Sequence, residues 1–255
     1  MQLLEHTFLI TGGGSGLGRA CAAAFHAAGA NVVVGDVNET AGTETVASLG
    51  PRGKFAPLDV TSEASVQSAV DFSRVQFGAL HGVVQCAGIL ASGRLVGKSG
   101  PHDLALFRRV IEVNLIGTFN VFRLAAAAMQ TNTPNAEGER GVLIATSSVA
   151  AEDGQIGQAA YAASKAGVRG LMLPLARELA RCGIRAVAIA PGVFATPMMS
   201  AAPPELQKSL AAQIPFPPRF GQPAEFAQLA RQIVENPYLN GTTLPLDGAL
   251  RMGPK

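Results

Sequence analysis

Short apolar runs recur along this chain, each closing on small or polar residues and each followed by a stretch of helical composition. Thr7–Ile10, Asn31–Asp36, Phe55–Val60, Leu80–Gly88, Val142–Ser147, Ile184–Ala190 and Gly241–Gly248 read as strands. Arg19–Ala28, Ala64–Phe77, Asp103–Met129, a segment from about Gln158 and Pro223–Glu235 read as helices. This alternation restricts the fold more than any single residue does. It predicts an α/β protein built as a doubly wound, seven-stranded parallel sheet with helices on both faces. With 255 residues and no evident linker, the sequence reads as a single domain, 1–255. Pro174 falls inside the helix that starts near Gln158 and is expected to kink it, since proline removes an N–H and its ring crowds the preceding turn.

Sheets of this kind bind ligands beyond the carboxyl ends of their strands, and the unusual residues of the chain collect there. The first run breaks into Thr11-Gly12-Gly-Gly-Ser15-Gly16-Leu17-Gly18 before an alanine-rich helix. Glycines allow a tight turn and close approach of backbone to a pyrophosphate, whose charge the free N–H groups of a helix N-terminus stabilise. A Gly-rich turn alone is equally at home in a flexible loop; its place between strand and helix favours the Rossmann-type reading. The second run ends in Asp36, eighteen residues after Gly18, near the spacing of a ribose-binding carboxylate. Asp59 closes the third run, Cys86-Ala87-Gly88 the fourth, Ser148 follows the fifth, and Pro191-Gly192 cap the sixth. Asn114 lies within a helical stretch, where an amide is an ordinary tolerated residue unless it points inward. Residues 196–218, rich in Pro, Met and Ala, suit an apolar lid over a substrate.

The chemistry is carried by Ser148, Tyr161 thirteen residues on, and Lys165 four residues further. On a helix, the last two share one face a turn apart. A free phenol titrates near pH ~10, and a nearby ammonium favours its ionised form. The Ser hydroxyl can hydrogen-bond the same substrate oxygen that the phenol protonates or deprotonates. Proton transfer at a carbonyl/alcohol centre follows.

Hydrophobic residues make up 48% of the chain and charged residues 15%, so part of its surface is expected to be covered, most readily by further subunits. A net charge of +2 without a Lys/Arg run offers no footprint for nucleic acid or anionic membrane. Neither partner is predicted. Cys21, Cys86 and Cys182 are odd in number and widely spaced, which fits neither a disulfide framework nor a metal site and points to a reducing cytoplasm. No signal peptide is readable at the N-terminus, and no apolar stretch free of polar residues and turn formers is long enough to span a bilayer.

Thr11-Gly12-x-x-x-Gly16-x-Gly18, Asp59, Cys86-Ala87-Gly88, Asn114, Ser148, Tyr161-x-x-x-Lys165 and Pro191-Gly192 together resemble the short-chain dehydrogenase/reductase family over essentially the whole chain. Within it, Gly154-Gln155 to Tyr161, Pro191 to Pro197, Phe216 to Glu225 and Glu235 to Ala249 resemble the type-2 3-hydroxyacyl-CoA dehydrogenases, also described as type-10 17β-hydroxysteroid dehydrogenases. The resemblance implies Tyr161 as general acid/base, Lys165 lowering its pKa and binding the nicotinamide ribose, Ser148 holding the substrate oxygen, and Asn114 supporting a water-linked proton path. It further implies NAD contacts at Ser15, Leu17, Asp36, Asp59, Val60, Cys86, Phe194 and Thr196, a substrate contact at Gln155, and a homotetramer. Cys86 stands where the family usually has Asn. Glu152 and Asp153, beside Ser148, are expected to narrow acceptance of bulky apolar substrates. The implied reaction is NAD-dependent oxidation of (S)-3-hydroxyacyl-CoA, a small-molecule thioester. An NADPH-dependent 3-oxoacyl carrier-protein reductase, a hydroxysteroid or short-chain alcohol dehydrogenase, and an inactive dinucleotide-binding scaffold stay open beside it.

Overall fold

The computed structural model describes residues 1–98, 100–200 and 203–254. Seven strands form one parallel sheet: β1 (Thr7–Thr11), β2 (Asn31–Asp36), β3 (Gly53–Pro57), β4 (Gly82–Gln85), β5 (Gly141–Thr146), β6 (Ile184–Pro191) and β7 (Thr243–Leu246). Their order is β3-β2-β1-β4-β5-β6-β7, with every neighbour parallel. The order therefore reverses between β1 and β4, which opens a crevice at the carboxyl ends of the strands. A two-residue antiparallel pairing, Val96–Gly97 with Gly100–Pro101, stands apart from the sheet.

Both faces of the sheet are covered, so β1 and β6 are buried along their whole length and read in sequence as continuous rather than alternating apolar runs. Successive side chains still divide between two cores. Leu9, Val33, Val83, Leu143 and Ala186 point to the side of α3 (Glu63–Phe77), α5 (Gly117–Met129) and α6 (Ala159–Leu179). Phe8, Val32, Val84, Val142 and Val187 point to the side of α1 (Gly16–Ala27) and α9 (Pro223–Glu235). There Phe8 meets Phe25 edge to face, with ring centroids 5.0 Å apart.

Several boundaries differ from the sequence expectation, each for a local reason. A helix α2 (Glu39–Ala47), capped by the Asn38 side chain accepting from Ala41 N, occupies a stretch whose Thr and Gly content hides any periodicity. The stretch Asp103–Met129 is α4 (Leu104–Ile111) and α5 joined by a π-helical turn at Glu112–Ile116, centred on Asn114. Such turns insert one residue into a helix and re-aim its side chains. The helix α6 continues past Pro174 to Leu179. Leu58 to Val60 and Cys86 to Gly88 lie just beyond β3 and β4 rather than in them. Within residues 196–218, expected to form an apolar lid, the structure has α7 (Pro197–Ser200) and α8 (Pro204–Ala211); positions 201 and 202 lie outside the described residues. Leu104–Met129 is long and apolar enough by length and composition to cross a membrane, but Arg108, Arg109, Glu112 and Asn114 interrupt it, and 56% of its apolar window is buried inside the protein.

Candidate active site

The crevice at the carboxyl ends is a cleft of about 450 Å³, and every residue expected at the dinucleotide lines it: Gly12, Ser15, Gly16, Leu17, Gly18, Asp36, Asp59, Val60, Cys86, Ala87, Gly88, Tyr161, Lys165, Pro191, Gly192, Phe194 and Thr196. Its glycines are there by geometry. Gly12 sits at φ +61°, and a Cβ on it would stand 2.8 Å from Ala87 N; a Cβ on Gly18 would overlap the Gly12 carbonyl. The turn thus packs backbone on backbone, with N–H groups at the start of α1 left for an anion. Thr11 ties this turn to the end of β4: its hydroxyl donates to Gln85 Oε1 and accepts from Ala87 N at 3.1 Å.

The two acids are fixed differently. Asp36 Oδ2 accepts from Gly14 N and its Oδ1 from Asn38 N, both at 2.9 Å, so its carboxylate is aimed before any ligand arrives. Asp59 Oδ1 accepts from the hydroxyl (2.7 Å) and N–H (2.9 Å) of Thr61. These bonds, aided by the charge of Arg109, hold the Asp59 carboxyl below the usual carboxylate range. Such a cradle suits a dinucleotide: N–H groups for its pyrophosphate, and carboxylates for its hydroxyl and amino groups.

On the opposite wall, α6 carries Tyr161 and Lys165 one turn apart, with Lys165 Nζ 5.7 Å from the phenol ring centroid. Lys165 is buried and donates from Nζ to Thr146 O at 2.7 Å. Burial lowers its pKa to about 8. The phenol behaves otherwise than the spacing suggested. Burial raises the Tyr161 pKa above its ordinary value, and the hydrogen bond from the Ser148 hydroxyl offsets this only in part. Ser148 Oγ accepts from Ala150 N at 3.1 Å, which leaves its one O–H free to donate.

Asn114 does not line the cleft; it braces it. Its Nδ2 donates to Ile89 O (2.9 Å) and to Ser164 Oγ (3.1 Å), and its Oδ1 accepts from Ile89 N (2.8 Å). Ser164 in turn donates to Tyr161 O at 2.7 Å, and Ser147 donates to Lys165 O at 2.9 Å. The π turn therefore connects the loop after β4 to the backbone of the Tyr161 helix. Gln155 is also displaced from its expected place: Gln158 lines the cleft, while Gln155 donates to Gly253 O at 3.2 Å and pairs with Gln158. Glu152 pairs with Arg169, and Asp153 faces Arg251 at 4.0 Å. Both acids border a separate cavity of about 210 Å³ behind Ser148, so they stand outside the main cleft.

Comparison with known proteins agrees with this arrangement. Residues 6–207 match the family model for short chain dehydrogenases. The chain belongs to the short-chain dehydrogenase family. Among its relatives, the 3-hydroxyacyl-CoA dehydrogenase type-2 of Bos taurus is 50% identical over 96% of this chain and 95% of that protein. That of Homo sapiens is 49% identical over the same shares. The crystal structure of 3-hydroxyacyl-CoA dehydrogenase type-2 from Mycobacterium avium superposes with a TM-score of 0.94 at 42% identity, covering 98% of this chain and 97% of that one.

As a short-chain dehydrogenase the protein is an oxidoreductase of a nicotinamide dinucleotide. Sequence reasoning missed three parts of this short-chain dehydrogenase site. Thr146, immediately before the Ser147-Ser148 pair, supplies the carbonyl for Lys165. Ser164 links Asn114 to Tyr161; a serine three residues into the turn after a Tyr is a candidate for such back-bonding. Met252, near the C-terminus, also lines the cleft, and no sequence signal marks it.

Proposed function

We propose that this short-chain dehydrogenase uses NAD to oxidise (S)-3-hydroxyacyl-CoA to 3-oxoacyl-CoA and runs the reverse reduction with NADH. The observation that carries the reading is the half-identity to 3-hydroxyacyl-CoA dehydrogenases type-2 over nearly the whole chain, with Ser148, Tyr161 and Lys165 all present at one cleft. Asp36, already oriented by two backbone N–H groups, supports NAD over NADP. Bound nicotinamide supplies the hydride donor and acceptor. Ser148 donates to the substrate oxygen and Tyr161 passes a proton to it in reduction or removes one in oxidation. Lys165 holds a positive charge beside the phenol, and Asn114 keeps the helix bearing both in register. A homotetramer is supported by the exposed apolar residues Ile116 at the end of the π turn, Phe119 of α5 and Leu173 of α6. The three free cysteines support residence in a reducing cytoplasm.

The test compares NADH oxidation with acetoacetyl-CoA, acetoacetyl carrier protein, a pantetheine-truncated thioester and a 17-keto steroid. If the coenzyme A portion contributes binding realised in the transition state, truncation lowers kcat/KM and kcat. Preference for the carrier protein with NADPH establishes a biosynthetic reductase instead, and activity confined to the steroid removes the thioester assignment.

The titration of Lys165 near pH 8 sets an expected pH dependence. Reduction consumes a proton held by the Tyr161–Lys165 pair, so its rate is full below that pH and falls above it. Oxidation requires the pair to have lost a proton, so its rate rises through the same range. Initial-rate profiles in both directions with saturating cofactor check this, and parallel profiles would exclude a shared proton pair.

A further inference from the structure

The segment after β7 turns back across the carboxyl end of the sheet. Gly248 and Ala249 take left-handed conformations in succession, at φ +61° and +65°, which is uncommon for a residue with a Cβ. Asp247 holds this turn: its Oδ1 accepts from Ala249 N at 2.9 Å and its carbonyl from Leu250 N at 3.1 Å. Leu250 is fully buried. Arg251 then reaches back to Asp247 Oδ2 at 2.9 Å and towards Asp153 Oδ2 at 4.0 Å. Past Met252, Gly253 O accepts from Gln155 Nε2 at 3.2 Å and Pro254 O accepts from Ile156 N at 3.0 Å. Met252 is therefore bracketed by attachments to the loop that leads into the Tyr161 helix. Its half-buried side chain lines the same cleft as Ser148 and Tyr161.

We propose that Met252 is a specificity-determining residue that closes the substrate side of the cleft and contacts the acyl chain, with Arg251 and Gln155 as the positioning residues that hold it there. The proposal deepens the thioester reading and rests on it. Val193 and Met199 are further apolar residues that line the same cleft. An unbranched thioether adapts to neighbours of different shape, so short and medium chains fit by rotation of the Met252 side chain. A long chain must displace the segment itself. Its attachments to Asp247, Gln155 and Ile156 resist that.

The experiment measures kcat/KM with NADH for acetoacetyl-CoA, 3-oxooctanoyl-CoA and 3-oxododecanoyl-CoA in the wild type, Met252→Ala and Met252→Leu. Because pocket-size changes of about one methylene shift discrimination about tenfold or more, Met252→Ala should raise the long-to-short ratio at least about tenfold. The conservative Met252→Leu should keep the wild-type ratio. Arg251→Gln should raise KM across the series with kcat nearly unchanged, as expected when a positioning residue is loosened. A uniform change across chain lengths in Met252→Ala, or none, overturns the proposal. If the wild type reduces none of the three thioesters, the thioester reading has failed by itself. The same variants are then compared on a short and a long secondary alcohol that the wild type oxidises: a size-dependent shift supports the proposal, and a size-independent one overturns it.

Discussion

Tyr161→Phe is expected to lower turnover about a hundredfold to ten-thousandfold, the range typical of a lost general acid/base, while NADH binding survives. The ring stays in place between α6 and the cleft, but no transferable proton remains. Tyr161 lies among groups that orient rather than replace it. Ser148 has one O–H to donate, and Lys165 Nζ is engaged with Thr146 O. NADH affinity by fluorescence titration, set beside kcat for the same preparation, separates loss of chemistry from loss of fold. Near-normal turnover would remove Tyr161 from the reaction and revive a purely dinucleotide-binding role.

The second large effect concerns the cofactor. NAD should be preferred to NADP by at least about a hundredfold in kcat/KM, because a 2′-phosphate brings about two negative charges beside Asp36. At about 4 Å and an effective dielectric of about 20, each like-charge pair costs about 4 kcal/mol before screening, and solvent at this half-buried position reduces that. The carboxylate cannot easily turn away, since Gly14 N and Asn38 N hold its two oxygens. Exposed Val37 offers no compensating cation, and the charge of Arg109 acts on Asp59. Asp36→Ala should narrow the ratio sharply. Equal kcat/KM for both cofactors in the wild type, or an unchanged ratio in Asp36→Ala, contradicts this account.

Much of the architecture was legible because it depends on short-range pattern. Continuous apolar runs such as Val142–Ile144 and Val32–Val34, repeated between helical stretches, fit strands of a parallel sheet covered on both faces, and each delivers its closing residue to the ligand edge. The Gly12–Gly18 turn was legible for the same reason: the residue type itself states the backbone requirement. What could not be read depends on tertiary context. Asn114 looks like any polar residue in a helix until the π turn aims it at Ile89 and Ser164. The spacing of Tyr161 and Lys165 was visible, but the sign of the phenol shift was not, because it is set by burial, a property of the assembled cleft. Gln155 and Gln158 are equivalent by composition. Only the arrival of Gly253, almost a hundred residues later, decides which of them faces the cleft.

The most direct measurement of the central claim is NADH formation by the purified protein from NAD and (S)-3-hydroxybutyryl-CoA, with the (R) enantiomer in parallel, above pH ~8 where the proton pair is ready to accept. The account predicts steady NADH formation from the (S) thioester, little from the (R), and its loss in Tyr161→Phe. No NADH from either enantiomer, in a preparation that binds NADH normally, would contradict it.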